Sequence, residues 1–221
     1  MKIDSIQNQI TANHEAAHAV VAAVAGFEVA SLSVRANSRS LGRCWSVRLD
    51  SLVSPWDLNY LVPRNAATGC RDADQATPRL ELCTNALMNT QDWSRAELIR
   101  LIRAEVCISL AGHAQDGECT YHHENPYPDG HDFDTVQMCL QWLRHLGEDA
   151  TADDLLYFVE DVLEYFDEAI QQIANALVSK KYLRRLELAK LLPQPWANWP
   201  PSPSTKTPTA AAPGALRVVT G

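Results

Sequence analysis

The feature that most constrains this 221-residue chain is a run of small apolar residues that contains two histidines. Between Asp4 and Gly26, apolar side chains recur at helical spacing and predict one long α-helix. Asp4 and Gln7 have the form of a capping box at its start, and Gly26 is a typical stop at its end. The expected buried stripe consists of Ile6, Ile10, Ala17, Val20, Val21 and Val24.

The middle of this predicted helix carries the string His14-Glu15-Ala16-Ala17-His18. Two histidines four residues apart point their imidazoles from one helix face at a single cation, while Glu15 lies about 100° around the helix. Zn²⁺ held in this way lowers the pKa of a bound water to around 7, and Glu15 would accept the proton of that water. The string therefore predicts a zinc hydrolase with His14 and His18 as metal ligands and Glu15 as the catalytic base.

Composition predicts a soluble, cytoplasmic protein with one main domain. With 46% hydrophobic residues, the chain is long enough to bury a sizeable core. The longest apolar stretch, 19–27, is far shorter than the roughly 20 residues of a membrane span, and the N-terminus lacks the pattern of a signal peptide. Six cysteines without any CxxC pair are typical of reduced thiols rather than of a zinc finger.

Charge argues against a nucleic-acid partner. The net charge is −8, and the stretch 148–168 contains acids without any Lys or Arg. Nucleic-acid binding needs clustered basic residues, and the basic cluster of this chain, at 180–185, has the pattern of a solvated helix end.

The remaining patterns predict a mainly α fold with a small β-hairpin or sheet, in a domain that spans 1–192. Residues 50–92 form an insertion of uncertain structure, and the Pro-, Ala-, Ser- and Thr-rich residues 193–221 predict a flexible tail. Phe158, Tyr165 and Phe166 are predicted core residues. The elements expected after the first helix are a hairpin with arms at 28–34 and 44–49, a helix from 94 that ends at Gly112 or Gly117, helices at 133–146 and 151–177, and an amphipathic segment at 182–192.

Two histidines do not complete a catalytic zinc site, which needs three protein ligands and an open position. No histidine follows His18 at the spacing of the metzincins, and no Asn-Glu pair of thermolysin type lies on a nearby helix. The residues alone leave the third ligand open among His113, His122, His123, Asp129, His131, Asp132 and Asp134.

Four segments, taken together, resemble the peptidase domain of the FtsH family of zinc proteases. They are the string at 14–22, the hairpin arm Leu41-Gly42-Arg43-Cys44, the run from Glu97 to Leu110-Ala111-Gly112-His113-Ala114, and Asp132-Phe133 after a turn-rich loop. The resemblance covers roughly residues 11–192 and implies an FtsH-peptidase-like helical domain.

This resemblance implies that Asp132 completes the site with His14 and His18, that Glu15 is the base, and that a peptide substrate lies along the hairpin edge at 41–47. His131 stays open as the alternative ligand, and a helix N-cap is the simpler role for Asp132. The chain departs from the family at Ala17 and at 116–117, where Asp-Gly replaces an acidic pair.

The resemblance also implies a zinc-dependent endopeptidase that acts on extended polypeptide. Because the chain has neither a phosphate-binding loop nor a membrane anchor, a separate ATPase or adaptor is a possible partner, and an oligomer is possible. The alternative is a weakly active or inactive adaptor module that recruits a partner through Trp196 and Trp199. A hydrolase of non-peptide amides would use the same ligands.

Overall fold

The computed structural model describes residues 2–34, 42–46, 84, 94–117 and 131–201. The predicted fold class is confirmed: these residues are mainly helical and include a small antiparallel sheet. In chain order the elements are α1 (Lys2–Val24), β1 (Val29–Ser33), β2 (Arg43–Ser46), α2 (Arg95–Gln115), α3 (His131–His145), α4 (Ala152–Tyr165), α5 (Asp167–Lys180), β3 (Tyr182–Arg184) and α6 (Arg185–Leu188).

Helix α1 is the central element of the fold. It packs against α2, α4, α5 and the strands β1 and β2, and residues 15–25 are all buried. A helix with neighbours on every side can pack closely when its side chains are small and apolar, and α1 contains many alanines. The part of α1 that begins at Glu15 and includes His18 is therefore held in the core, whereas His14 is partly exposed.

The start of α1 differs from the prediction. The helix begins at Lys2 rather than after an N-cap at Asp4, and Ile6 and Ile10 are 62% and 46% exposed. Their helical spacing is correct, but the packed part of α1 begins only at Thr11. The predicted stop at Gly26 is confirmed, because Gly26 has a φ of 87° and follows directly on the last turn.

The sheet has the order β2-β1-β3, with both pairs antiparallel. Leu32 of β1 lies opposite Cys44 of β2 and opposite Leu183 of β3. The predicted hairpin is therefore present, but the interpretation of 182–192 as one amphipathic segment was wrong for its first residues. Lys181, with a φ of 64°, turns the chain so that 182–184 pair with β1 instead of continuing a helix.

Two later helices, α2 and α4, begin with capping boxes. Ser94 accepts a hydrogen bond from the backbone N–H of Glu97, and the Glu97 carboxylate accepts one from the backbone N–H of Ser94. Thr151 and Asp154 make the same pair of bonds at the start of α4. These bonds satisfy N–H groups that a helix start would otherwise leave without partners.

The long helix predicted at 151–177 is two helices. Phe166, with φ −110° and ψ 21°, ends α4 and precedes α5, so the chain changes direction there. Phe158 and Phe166 pack against the core as predicted, but Tyr165 is 61% exposed, so its prediction as a core residue was wrong.

The predicted boundary at residue 193 lies too early. Residues 193–201, here called the C-terminal strap, pack on the end of α1. The backbone N–H of Trp196 donates to the carbonyl of Val24 at 2.9 Å, and Trp199 is buried. The two tryptophans of the predicted flexible tail therefore bind their own domain, where they bury large apolar surfaces.

Arg100 joins this strap to two helices. Its guanidinium, on α2, donates to the carbonyl of Ala25 at 3.3 Å and to that of Trp199 at 3.5 Å. The C-terminal end of α1 is thus fixed by α2 and the strap together. The rest of the predicted tail, 202–221, lies outside the described residues.

The predicted insertion at 50–92 also lies outside the described residues, with one exception. Thr84 is buried, and its hydroxyl accepts a hydrogen bond of 2.8 Å from the indole N–H of Trp142 on α3. Among the helices that the structure describes, none combines the length and the apolar character needed to cross a membrane.

Candidate metal centre

The site is built where α1 and α2 run antiparallel with their turns in register. On α1, His14 and His18 are one turn apart. On α2, Ile108, Gly112 and Asp116 follow one another at the same interval of four residues. Ile108 contacts His18, and both Gly112 and Asp116 contact His14, so each turn of α2 meets a histidine of α1.

The contacts from α2 orient both imidazole rings. Nδ1 of His18 donates to the carbonyl oxygen of Ile108 at 2.6 Å, and Nδ1 of His14 donates to Oδ2 of Asp116 at 2.8 Å. A carbonyl and a carboxylate accept only, so the proton of each ring lies on Nδ1. In the neutral form of each ring, Nε2 then keeps a lone pair for a metal ion.

Asp132, the second residue of α3, brings the third donor. Its Oδ2 lies 3.5 Å from Nε2 of His18, and the ligand atoms of His14, His18 and Asp132 all lie within 4.8 Å of one another. Donors about 2.0–2.1 Å from a tetrahedral ion lie roughly 3.4 Å apart, so the separation between His18 and Asp132 fits zinc without movement. Two imidazoles and one carboxylate also form a known donor set of catalytic zinc.

Glu15 lies beside this cluster, against the hairpin. It is 7% exposed, and a Cβ added to Gly42 would come within 2.5 Å of its Oε1. Gly42 directly precedes β2, so only a residue without a side chain leaves room for the carboxylate between the strand and α1. The glycine of the hairpin thus shapes the place of the predicted base.

Gly112 has the corresponding role on the other side of α1. A Cβ at this position would lie 2.3 Å from Nε2 and from Cε1 of His14. Real Cβ atoms do not approach ring atoms so closely, because the overlap is repulsive. The glycine lets the backbone of α2 lie directly on the imidazole.

A third imidazole, His113, lies in the last turn of α2 next to this pair. Its ring centroid is 5.7 Å from that of His14, and the two rings meet edge to face at 84°. Burial, and next the charge of His14, lower the pKa of His113 below its usual value. Sequence analysis included His113 among the candidates for the third ligand, and the structure places it beside the cluster but outside the group of three donors.

The other histidines considered from the sequence are not part of this description. His122 and His123 lie outside the described residues, as does Asp129, and the side chains of His131 and Asp134 are not described. The structure therefore places Asp132 at the cluster and leaves His131 without a described position.

Sequence reasoning also missed the groups that orient the ligands. Asp116 was noted only as a departure from the resembled family, and the carbonyl of Ile108 carries no side-chain signal. The spacing of 108, 112 and 116 was the available clue, because residues four apart share one face of a helix.

The sequence matches no protein-family model, and no curated protein matches it significantly.

Proposed function

We propose that this protein is a zinc-dependent endopeptidase that cleaves extended polypeptide. The single observation that carries the proposal is the convergence of His14, His18 and Asp132 on one point, with Glu15 on the same helix and buried beside it. Two imidazoles whose Nδ1 atoms are already bonded, together with one carboxylate, suit a catalytic zinc ion with an open position.

In this proposal, Nε2 of His14, Nε2 of His18 and a carboxylate oxygen of Asp132 hold the metal. Zn²⁺ bound there would polarise the scissile carbonyl and lower the pKa of a water molecule. The carboxylate of Asp116 and the carbonyl of Ile108 keep both rings in the tautomer that this requires.

Glu15 accepts the proton of the attacking water and delivers it to the leaving nitrogen. Its place between α1 and Gly42 suits this role, since the strand limits the directions in which the carboxylate can turn. Burial also keeps competing bulk water away from the carboxylate.

The substrate in this proposal is a polypeptide lying along β2. Among the described residues, β2 is the outer strand on one side of the sheet, and an extended peptide can bind to a sheet by adding a strand at such an edge. Because Gly42 begins this edge and contacts Glu15, a peptide paired with β2 would pass the base. A cytoplasmic location and delivery of substrate by a separate ATPase are parts of the same proposal.

The test is the substitution Glu15→Gln in purified, zinc-loaded protein. We expect about one zinc per chain in both wild type and variant, and cleavage of an unstructured protein such as casein only by the wild type. Glu160→Gln, at an exposed position of α4, is the control and should cleave as the wild type does. Wild-type protein that takes up no zinc, or a Glu15→Gln variant that cleaves normally, would contradict the proposal.

One observation bears on the alternative of an adaptor module. In that alternative, Trp196 and Trp199 recruit the partner. However, Trp199 is buried, and Trp196 packs against Phe166 and Tyr165. The residues needed for recruitment are therefore engaged within the domain, which favours the endopeptidase. A zinc hydrolase of non-peptide amides uses the same ligands, and substrate profiling separates it from a peptidase.

A further inference from the structure

Among the imidazoles whose side chains the structure describes near the cluster, His113 has no role in the proposed mechanism. It lies in the last turn of α2, one residue after Gly112, whose backbone rests on the ring of His14. It is close enough to the site for the charges of His14, Asp132, His18 and Asp116 to act on it, in that order of strength.

The ring of His14 has close contacts with both His18 and His113. The centroids of His14 and His18 are 4.7 Å apart, and those of His14 and His113 are 5.7 Å apart, both pairs meeting edge to face. His113 lies outside the group of three donors that converge on one point. It is therefore a neighbour of the metal ligands with its own ring orientation.

The ring of His113 is only partly buried. Its Nδ1 atom is inaccessible to solvent, whereas the residue as a whole keeps some exposure, so of the two ring nitrogens only Nε2 can meet a bound molecule. An imidazole carries at least one N–H in either protonation state. A partly open ring beside a buried catalytic cluster can thus donate a hydrogen bond to a bound molecule.

We propose that His113 donates a hydrogen bond to the carbonyl oxygen of the scissile peptide and stabilises the negative charge that develops on this oxygen during attack. The inference rests on the proposed endopeptidase function and adds a catalytic residue to it. A positioned donor of this kind acts mainly in the transition state, because the oxygen gains its charge only there. Removal of such a donor lowers kcat by about 10²–10³ and changes KM little.

The test compares His113→Leu and His113→Gln with wild type, all zinc-loaded. We expect His113→Leu to keep about one zinc per chain and KM for a fluorogenic peptide, but to lose about 10²–10³ in kcat. His113→Gln keeps an N–H donor and should recover part of that loss. His145→Leu, at a partly buried position about 20 Å further along α3 than Asp132, is the control with full activity.

A binding measurement separates this inference from the proposed function. A phosphinic peptide analogue presents a tetrahedral oxyanion, whereas ethanethiol binds zinc through sulfur alone. We expect His113→Leu to weaken binding of the phosphinic analogue by a factor similar to the loss in kcat. The affinity for ethanethiol should not change.

Two outcomes are then distinct. If the zinc-loaded wild type cleaves no peptide, the endopeptidase function fails, and the phosphinic analogue still decides whether His113 binds an oxyanion. If His113→Leu binds that analogue as tightly as wild type does, or cleaves peptide with an unchanged kcat, the role of His113 is overturned. Loss of zinc from His113→Leu would also overturn it, since it would make His113 a support of the metal ligands instead.

Discussion

The two sides of the candidate metal centre are built in different ways. His14 and His18 lie in the middle of a buried helix, and each ring is bonded through Nδ1 to a group of α2. Asp132 lies in the first turn of α3, and its side chain is 28% exposed, where those of His18 and His14 are 6% and 21% exposed. The histidine side is therefore anchored in the core at His18 and held between two packed helices, whereas the aspartate side lies at the start of a helix.

This difference separates two properties that are often linked, metal affinity and stability of the fold. Changes on the histidine side disturb helix packing as well as the ligands, because α1 and α2 contact each other through the same residues. Changes to Asp132 remove a ligand near solvent, where a helix start tolerates substitution with little cost. The two sides should thus respond differently to matched substitutions.

The largest effect is expected from Gly112→Ala on the histidine side. The new Cβ would lie 2.3 Å from Nε2 of His14, so the ring or the helix must move. We expect zinc affinity to fall by more than about 100-fold and the free energy of unfolding of the metal-free protein to fall by about 1–3 kcal/mol. Competition with a chelator and urea denaturation measure the two effects.

Gly117→Ala is the matched control for this prediction. Gly117 has a φ of 71° and no atom within 4 Å of an added Cβ. An alanine there costs about 1–2 kcal/mol for its left-handed backbone but touches no ligand. Zinc affinity should stay at the wild-type value, and a Gly112→Ala variant that also keeps it would show that α2 does not hold His14 in place.

The second effect concerns the aspartate side alone. Asp132→Asn removes a charged ligand, so we expect zinc affinity to fall by more than about 100-fold, beyond the effect of losing a group that only orients a ligand. The metal-free variant should unfold within about 1 kcal/mol of wild type, because Asn has nearly the same size and shape as Asp and the side chain is partly exposed. Isothermal titration with Zn²⁺ and urea denaturation measure both.

Asp153→Asn provides the control for Asp132→Asn. Asp153 is an exposed acid in the first turn of α4, so its substitution removes the same interaction with a helix dipole. It should leave zinc binding unchanged. Unchanged zinc affinity in Asp132→Asn would contradict the proposed ligand set and return His131 to consideration.

The same difference explains which residues of the site could be predicted from the sequence alone. His14, Glu15 and His18 were predicted from spacing, because their relation is local to one helix and its geometry is fixed. The bonds from Ile108 and Asp116 join residues 90 and 102 positions apart, and no periodicity within one segment encodes them. Asp132 was reached only through a family resemblance, which is a different kind of argument from geometry.

The elements that were predicted incorrectly from the sequence failed for a related reason. Residues 182–184 pair with β1 after the turn at Lys181, and the predicted helix at 151–177 is divided into two at Phe166. In both places the local pattern was compatible with a helix, and the direction of the chain in three dimensions decided the outcome. The fold class, by contrast, depends on long periodic segments and was predicted correctly.

The smallest effect is expected from Asp116, which touches the metal centre only through His14. Its carboxylate fixes the tautomer of His14 and makes the ring a better donor. We expect Asp116→Ala to weaken zinc binding by about 10–100-fold, and Asp116→Asn to weaken it less because the amide oxygen can still accept from Nδ1. Chelator competition at constant pH measures both variants against Asp149→Asn, an exposed position between α3 and α4. If Asp116→Ala binds zinc within about twofold of wild type, the orientation of His14 comes from its packing on Gly112 alone, and the histidine side depends on shape rather than on its hydrogen bond.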